Sequence, residues 1–498
     1  MEPIKDNSLA APFASAICSG FLILLTGMLG GTATAQSDHS NHPIQKIISR
    51  DSLQQSFWSI SVRDSTGNAI YAYNAGKLIR PASNLKLLTS GVLLKVLGPD
   101  YTYQTPLYGI GEKRDSTWKG DLLFIGKGDP SISETYFNDD KWHVFDQYSQ
   151  ALDSLGIKHV TGSVIGNDAY FDPEPYPEGW DWNDLSFYYA VEINALSFNG
   201  NTVDLDVHAD GEVGDAPRIS WFPYNTDYVR FINEQVITPS HTEYDESYRR
   251  ILGTNTIVLR STLPTHYFEE EPLSVSEPAR YFVDTFAKYL RHQGFRVDGG
   301  SIVDHEPVGQ DTSSYRLIYR HRSPPLDTLL YQINRESSNF YTEMMLRTAA
   351  AEHYNTQGST RLGLKLMRDF ADEMRMDTTR LRISDGSGMA GTTLTTTADI
   401  ADYLVNMQQH PHFRPFYKSL SVAGVNGTFD YRFTESPVNG KLRGKSGYVS
   451  GVRTLSGYLT TSSGQELIVS IAANNYAVKT KRMDRAHQKI LEYLYRKY

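Results

Sequence analysis

A β-rich stretch of this sequence separates two stretches that combine helices and strands. From about residue 101 to residue 305, short β-like segments such as 122–125, 203–207 and 256–259 alternate with Gly, Pro, Asp and Asn turns. The flanking stretches contain helical periodicity instead. A chain of 498 residues also exceeds what one hydrophobic core usually organises. The sequence therefore predicts an α/β (α+β) domain that is interrupted by a large β-rich inserted domain.

The flanking stretches predict one domain that is split by the insertion. The predicted elements there are a helix at 43–55, strands at 57–62 and 69–72, helices at 83–97, 326–333, 340–351 and 362–374, strands at 441–448, 453–460 and 466–471, and a helix at 479–495. Strands from both stretches would complete one sheet. The expected division assigns 36–104 and 306–498 to the split domain and 105–305 to the inserted domain.

The first 35 residues have the features of an export signal. Lys5 is followed by an apolar stretch at 17–29 and by the small residues Ala-Thr-Ala at 33–35. The alternative is a membrane anchor, but the stretch is short and contains glycines. We expect residues 1–35 to be removed, which leaves a periplasmic chain without an integral membrane span.

Composition excludes several classes of function. Cys18 is the only cysteine and lies in the predicted signal, so the mature chain would have no disulfide, no thiol nucleophile and no cysteine-based metal site. The net charge of −9 is spread along the chain, which argues against nucleic acid as a partner. His410 and His412 lack a third ligand, and we expect neither a metal nor another cofactor.

A Ser-x-x-Lys pattern opens the helix predicted at 83–97. At this spacing Ser83 and Lys86 share one helix face, so the amine can reach the hydroxyl and remove its proton. A second copy, Ser116 and Lys119, lies in a polar run that predicts a hairpin loop. Ser387 lies in Asp-Gly-Ser-Gly but lacks the surroundings of a nucleophile elbow. This context favours Ser83 as the nucleophile.

Two further patterns follow in the second flanking stretch. Ser337, Ser338 and Asn339 form a Ser-x-Asn pattern between two predicted helices, where hydroxyl and amide groups could point into a cleft. The alternative is that Ser338 or Asn339 merely caps the helix that follows. A second Ser-x-Asn copy, at 197–199, leads into a predicted strand.

Lys445, Ser446 and Gly447 form a Lys-Ser-Gly pattern on a late predicted strand. The lysine would supply positive charge, the serine could bind a carboxylate, and the glycine would permit a close backbone approach. Each pattern is weak alone. Their joint occurrence, in this order and each in its expected setting, is a strong signal.

With these three motifs the sequence resembles the class C low-molecular-mass penicillin-binding proteins, a family of D-Ala-D-Ala carboxypeptidases and endopeptidases. The long gap between Ser83 and Ser337 is similar to the insertion that distinguishes this family from β-lactamases. Further similar blocks lie at 81–86, 126–130, 179–184, 195–201, 385–389 and 424–428.

The resemblance implies a β-lactamase/transpeptidase-like domain, with an antiparallel sheet flanked by helices and an all-helical part. It implies a serine peptidase that acts on peptidoglycan stem peptides and is inhibited by β-lactam antibiotics. Ser83 would attack the carbonyl of the penultimate D-Ala, with Lys86 as general base. Ser337 and Lys445 would pass the proton to the leaving group, and Asn339 would hold the substrate amide.

The resemblance also implies a set of substrate-binding groups. Ser446 and Gly447 would contact the substrate, and the backbone N–H groups of Ser83 and Tyr448 would form the oxyanion hole. By block position, Asp184 would be the acidic residue of the insertion near the amino end of the substrate, unless it is simply a turn aspartate.

Two positions depart from the family pattern, and two other functions share the motifs. Ser338 stands where Asp is common, and Ser446 stands where Thr is common.

A β-lactamase would use the same motifs, but the insertion argues against it. A non-catalytic penicillin sensor or scaffold would not need the intact set of polar groups. The balance of carboxypeptidase and endopeptidase activity, the preferred third residue of the stem peptide and the oligomeric state stay open.

Overall fold

The computed structural model describes residues 42–306 and 315–498. The predicted signal at 1–35, including Cys18, lies outside the described residues. None of the described helices combines the length and the apolar character that crossing a bilayer requires.

The described helices and strands are as follows. The helices are α1 Pro43–Ile48, α2 Lys86–Leu97, α3 His143–Ser154, α4 Pro278–His292, α5 Leu326–Asn334, α6 Asn339–Tyr354, α7 Thr360–Glu373, α8 Thr397–Met407, α9 Phe413–Ser419 and α10 Thr480–Lys497. The strands are β1 Phe57–Asp64, β2 Ala69–Tyr73, β3 Gln104–Arg114, β4 Thr117–Ile125, β5 His159–Val160, β6 Val164–Asn167, β7 Thr202–His208, β8 Arg218–Phe222, β9 Arg230–Asn233, β10 Val236–Thr238, β11 Tyr248–Arg250, β12 Thr256–Leu259, β13 Thr262–Pro264, β14 Phe268–Ser274, β15 Arg296–Val297, β16 Ser301–Asp304, β17 Tyr315–Arg322, β18 Ser421–Val422, β19 Leu442–Val449, β20 Val452–Thr460 and β21 Glu466–Asn474.

Strands from both flanking stretches form one antiparallel sheet in the order β18-β19-β20-β21-β1-β2. Its pairing of β1 with β21 runs from Phe57 opposite Asn474 to Asp64 opposite Leu467. One side of the sheet shares a core with α1 and α10. The predicted packing face of α10 is buried there: Met483, Ile490, Leu491 and Leu494. The prediction that the two flanking stretches complete one sheet is confirmed.

A second core joins α2 and α5 to α9 with the sheet residues Tyr458 and Ile468. Helix α2 is buried on every side over residues 86–94, which places it in the interior of this helical part. Its start differs from the prediction, because Ala82–Leu85 form a 3-10 turn and the α-helix begins only at Lys86. Ala82, the first residue of this turn, has a left-handed φ of +47°, which an α-helix does not contain.

The middle stretch builds its own sheets around a third core that includes α3 and α4. Strands β15, β5, β4, β3 and β17 follow one another in the largest of these sheets, with β6 beside β4 and β16 beside β6. Strand β17 pairs with β3 although it lies beyond the predicted boundary at residue 305. The division of the chain into domains at 105 and 305 stays a prediction.

A tight contact at Gly91 provides a test of the helical core. A Cβ at this position would lie 2.6 Å from the ring of Phe370 and closer still to the hydroxyl of Tyr403. We expect Gly91→Ala to lower the free energy of unfolding by about 1–3 kcal/mol through overpacking. The helix preference of Ala, about 1 kcal/mol, would offset only part of this cost.

Urea unfolding followed by circular dichroism measures the change. Gly391→Ala is the matched control, because a Cβ at residue 391 would meet nothing within 4 Å. We expect this control to change the free energy of unfolding by less than about 0.5 kcal/mol. Equal stabilities of the two variants would contradict the packing described for α2.

Candidate active site

The first motif lies where a strained turn meets a buried helix. Ser83 belongs to the 3-10 turn and Lys86 is the first residue of α2. Ala82, directly before the serine, has a φ of +47°, a conformation that costs a non-glycine residue about 1 kcal/mol or more. The hydroxyl of Thr454 on β20 donates a hydrogen bond of 2.8 Å to the carbonyl of Pro81. This bond holds the turn against the sheet.

The amine of Lys86 has three polar neighbours. Its Nζ lies 2.9 Å from Ser83 Oγ, 2.6 Å from Asn339 Oδ1 and 3.1 Å from the carbonyl oxygen of Ser387. A neutral amine has two N–H donors and one lone pair. The two carbonyl oxygens accept both N–H groups, so the lone pair is left facing the hydroxyl of Ser83. This is the geometry that a general base requires.

Burial sets the charge of this amine. The side chain of Lys86 is 0% exposed, and this burial lowers its pKa to about 7. The carboxylates of Asp385 and Glu343 oppose the effect, because negative charge favours the ammonium form. A substantial fraction of Lys86 is therefore neutral at neutral pH.

The second and third motifs meet at the amine of Lys445. Lys445 Nζ donates to Ser337 Oγ at 2.8 Å and to the carbonyl of Ser446 at 2.9 Å. Burial, followed by the positive charge of Lys86, lowers the pKa of Lys445 well below its ordinary value. Ser337 has a φ of +63°, so this polar contact also depends on a strained residue.

In the Ser-x-Asn motif, the residue that caps the helix and the residues that contact the two lysines are different ones. Ser338 is the N-cap of α6, and its side chain accepts a 3.2 Å hydrogen bond from Tyr341 N. Asn339 does not cap the helix. Its Oδ1 accepts from Lys86, and its Nδ2 donates to the carbonyl of Tyr189 at 2.8 Å. The cap at residue 338 thus directs the asparagine side chain to the lysine.

The third motif packs against the nucleophile turn. A Cβ on Gly447 would lie 2.9 Å from the carbonyl oxygen of Pro81 and 3.0 Å from Ser83 N. Gly447 therefore permits a close approach between two backbone segments of this chain, its own strand and the turn at Pro81 and Ser83. Ser446 is 4% exposed, and its Oγ donates to Thr428 Oγ1 at 2.8 Å.

The other two predicted substrate-binding residues, Tyr448 and Asp184, have side chains with no hydrogen bond to Ser83 or Lys86 among the described residues. The side chain of Tyr448 is 56% exposed. Asp184 Oδ1 accepts a 3.4 Å hydrogen bond from the hydroxyl of Tyr189, whose carbonyl in turn binds Asn339. Desolvation raises the pKa of Asp184. Among the hydrogen bonds of the described residues, Tyr189 connects Asp184 to the site.

The rival motif copies lie elsewhere. Ser116 lies in the turn between β3 and β4, and Lys119 lies on β4. Ser197 Oγ donates to a nearby backbone carbonyl, and Asn199 Nδ2 donates to the carbonyl of Thr202. Both rival motifs thus belong to the middle stretch, away from the contacts of Lys86 and Lys445, and the choice between the copies stays a prediction.

The sequence did not identify several residues that surround Lys86 and Ser446. Glu343 and Asp385 are both 0% exposed. Asp385 lies in a block noted for its family resemblance, yet nothing in the pattern indicated its burial. Thr428 also lies in such a block, at 424–428, but the pattern did not indicate its contact with Ser446. Glu343 gave no signal, since a single acid in a helix is most often solvated.

The family follows from a comparison with known proteins. Residues 40–495 match the D-Ala-D-Ala carboxypeptidase 3 (S13) family. The chain belongs to this family. Both the predicted family and the predicted class of enzyme, a D-Ala-D-Ala peptidase, are confirmed.

Relatives and solved structures agree with this assignment. A D-alanyl-D-alanine carboxypeptidase of Actinomadura sp. (strain R39) is 28% identical over 475 residues, which cover 91% of this chain and 86% of that protein. D-alanyl-D-alanine carboxypeptidase DacB of Haemophilus influenzae is 22% identical over 424 residues, which cover 82% and 84%.

The crystal structure of penicillin binding protein 4 (dacB) from Haemophilus influenzae is similar to this chain, with a TM-score of 0.80 at 19% identity, over 91% of this chain and 99% of that one. The same protein complexed with a β-lactam gives a TM-score of 0.73 at 18% identity, with the same coverage. The predicted transpeptidase-like fold class is confirmed.

The charge of Lys86 predicts the pH dependence of this S13 enzyme. Below its pKa of about 7 the amine is protonated and cannot accept the proton of Ser83. The rate of acylation by a penicillin should therefore fall about tenfold per pH unit below that value and level off above it.

Stopped-flow fluorescence with a labelled penicillin measures this rate. Lys86→Arg is the control, because a guanidinium stays protonated and should give no acylation at any of these pH values. A level rate across acidic pH, or acylation of the arginine variant, would contradict the assignment of Lys86 as the base.

Proposed function

We propose that this S13 enzyme is exported to the periplasm and hydrolyses D-Ala-D-Ala bonds of peptidoglycan stem peptides through an acyl-enzyme on Ser83. The observation that carries the proposal is the contact of Ser83 Oγ with an amine whose two N–H groups have other acceptors. A buried, largely uncharged amine at hydrogen-bonding distance can activate a serine hydroxyl, which is otherwise a poor nucleophile.

In the acylation step, Ser83 Oγ forms a bond to the carbonyl carbon of the penultimate D-Ala, and its proton passes to Lys86 Nζ. The bond to the terminal D-Ala nitrogen then breaks. Ser337 Oγ, 2.8 Å from Lys445 Nζ, delivers a proton to that nitrogen, and Lys445 replaces it. Water hydrolyses the ester in the second step and frees the serine.

The developing oxyanion would be bound by the backbone N–H groups of Ser83 and Tyr448. The contact between Gly447 and Ser83 N brings these two backbone segments together. A single donor of this kind typically contributes about 10²–10³ in rate. The substrate carboxylate would bind Ser446 Oγ beside the positive charge of Lys445.

Asn339 would contact the substrate amide by exchanging a weak partner. Its Nδ2 has two N–H groups, of which one donates to the carbonyl of Tyr189 and the other faces Met389 Sδ at 3.3 Å. A thioether is a weak acceptor, so a substrate carbonyl can replace it at little cost. Asp184 would bind the amino end of the stem peptide, with the Tyr189 hydroxyl fixing its carboxylate.

β-Lactam antibiotics would acylate the same serine, and the resulting acyl-enzyme would hydrolyse slowly. Because a penicillin lacks a leaving group that diffuses away, its acyl-enzyme should persist. We propose β-lactams as inhibitors on this basis, together with the membership of the chain in a family whose relatives include a penicillin binding protein.

The proposal predicts which serine carries the label and the activity. Ser83→Ala should abolish both covalent labelling by fluorescent penicillin and D-Ala release from a D-Ala-D-Ala peptide. Ser116→Ala is the matched control, since that serine also precedes a lysine by three residues but lies in a hairpin turn. This control should behave as the wild type.

Gel fluorescence and a D-Ala assay on the same samples separate the alternatives. Stable labelling with D-Ala release supports the peptidase. Rapid loss of label would instead indicate a β-lactamase, and labelling without D-Ala release would indicate a non-catalytic sensor. Labelling of the Ser83→Ala variant would refute the acyl-enzyme on Ser83.

A further inference from the structure

The direction of the Lys86 lone pair depends on the carbonyl of Ser387. Lysine has four rotatable side-chain bonds, so its amine needs fixed acceptors to keep one orientation. Asn339 Oδ1 is one acceptor and the Ser387 carbonyl is the other. The asparagine is held by its helix, whereas Ser387 lies in an irregular loop at 384–391.

A buried carboxylate on α6 holds this loop. Glu343 Oε1 accepts a 2.9 Å hydrogen bond from Gly386 N and a 2.8 Å hydrogen bond from Ser387 N. Glu343 is four residues after Asn339, so both lie on the same face of the helix. The Asn339 side chain contacts Lys86 directly, and the Glu343 side chain fixes the loop whose Ser387 carbonyl contacts Lys86.

The loop is shaped to receive this carboxylate. A Cβ on Gly386 would lie 2.6 Å from Leu346 and 3.3 Å from Glu343 Oε2, so a larger residue would push the loop away from the helix. The remaining oxygen, Glu343 Oε2, has no hydrogen-bond partner among the described residues.

Asp385, the other buried acid of this loop, has a different role. Its Oδ2 accepts from Ser387 Oγ, Met389 N and Ala390 N, and its Oδ1 accepts from Thr393 Oγ1. Trp180 Nε1 of the middle stretch also donates to Oδ2, at 3.2 Å. These bonds fold the loop and connect it to Thr393 and Trp180. They do not connect the loop to α6, which leaves that connection to Glu343.

A purely structural contact would not require a charge. A glutamine would supply the same carbonyl oxygen to the two N–H groups without the cost of burying a carboxylate. That cost is considerable, since burial raises the pKa of Glu343 to about 7. The negative charge has a use near Lys86, whose ammonium form it stabilises.

We propose that Glu343 is a positioning residue for the general base: it fixes the Ser387 carbonyl on α6 and thereby aims the lone pair of Lys86 at Ser83 Oγ. This inference rests on the proposed function, in which Lys86 accepts the serine proton. Glu343 touches neither the serine nor the substrate in this role, and it acts only through the loop and through its charge.

The charged groups near Glu343 and Lys86 determine how the acylation rate should depend on pH. Asp385 from the loop and Arg347 from α6 act on Glu343, with opposite signs. Glu343 and Asp385 both raise the pKa of Lys86. Across the cleft stands Lys445, whose pKa is lowered by the charge of Lys86. Removal of the Glu343 charge should therefore lower the pKa of Lys86.

Two variants separate position from charge. Glu343→Gln keeps an oxygen acceptor for the loop, and we expect an acylation rate close to that of the wild type above neutral pH. The pH range over which its acylation rate falls should move to lower pH, because the part of Glu343 that is charged near neutral pH no longer stabilises the Lys86 ammonium. Glu343→Leu leaves both loop N–H groups unpaired, and its acylation rate should fall about 10²-fold while noncovalent penicillin binding stays unchanged.

Glu352→Gln is the matched control, because Glu352 lies on the same helix but is exposed and binds the hydroxyls of Tyr101 and Tyr170. It should match the wild type at every pH. Stopped-flow acylation across pH, with saturation to separate binding from the acylation rate, measures all three variants, and circular dichroism checks that each is folded.

The inference is overturned if the folded Glu343→Leu variant acylates at the wild-type rate, or if that variant is slower only because it binds penicillin more weakly. It is also overturned if the pH dependence of acylation is the same in Glu343→Gln as in the wild type. Should the leucine variant not fold, the pH profile of the glutamine variant decides alone. Failure of the proposed function is distinguishable, because the wild-type protein itself would then take no label at Ser83.

Discussion

The chemistry proposed for this molecule depends on the burial of one amine. Lys86 is removed from water at the start of α2, and the desolvation lowers its pKa to about 7. Burial alone would leave the direction of the lone pair undefined. The two carbonyl oxygens of Asn339 and Ser387 remove that freedom, since each takes one N–H group and only the hydroxyl of Ser83 remains.

The topology brings these groups together from distant parts of the chain. Strands β1 and β21 pair in the centre of the sheet, so the two flanking stretches share one framework. The turn before α2 is held on β20 by Thr454, while β19 carries Lys445 to Ser337. The left-handed residues Ala82 and Ser337 show that local conformation is strained where these segments meet, and the surrounding packing keeps the strain in place.

The sequence predicted the motifs and the split sheet but not the polar interior around them. Ser83 and Lys445 could be proposed from the sequence because each belongs to a short local pattern beside a periodic element. The 3-10 start of α2 was not predicted, because apolar spacing does not report the φ of Ala82. Glu343 was missed for a different reason: an acid in a helix is normally solvated, and only the tertiary approach of the 384–391 loop buries it.

The two buried lysines make the two proton transfers of the proposed reaction dependent on each other. The charge of Lys86 lowers the pKa of Lys445. When Lys86 accepts the proton of Ser83, Lys445 therefore becomes a stronger acid at the moment when the leaving nitrogen needs a proton. Ser337, hydrogen-bonded to Lys445, lies on the path of that transfer. Glu343 and Asp385 limit the effect, because their charge keeps the Lys86 ammonium stable enough to form inside the protein. Without these carboxylates the pKa of Lys86 would be lower still, and the amine would be a weaker base toward the serine proton.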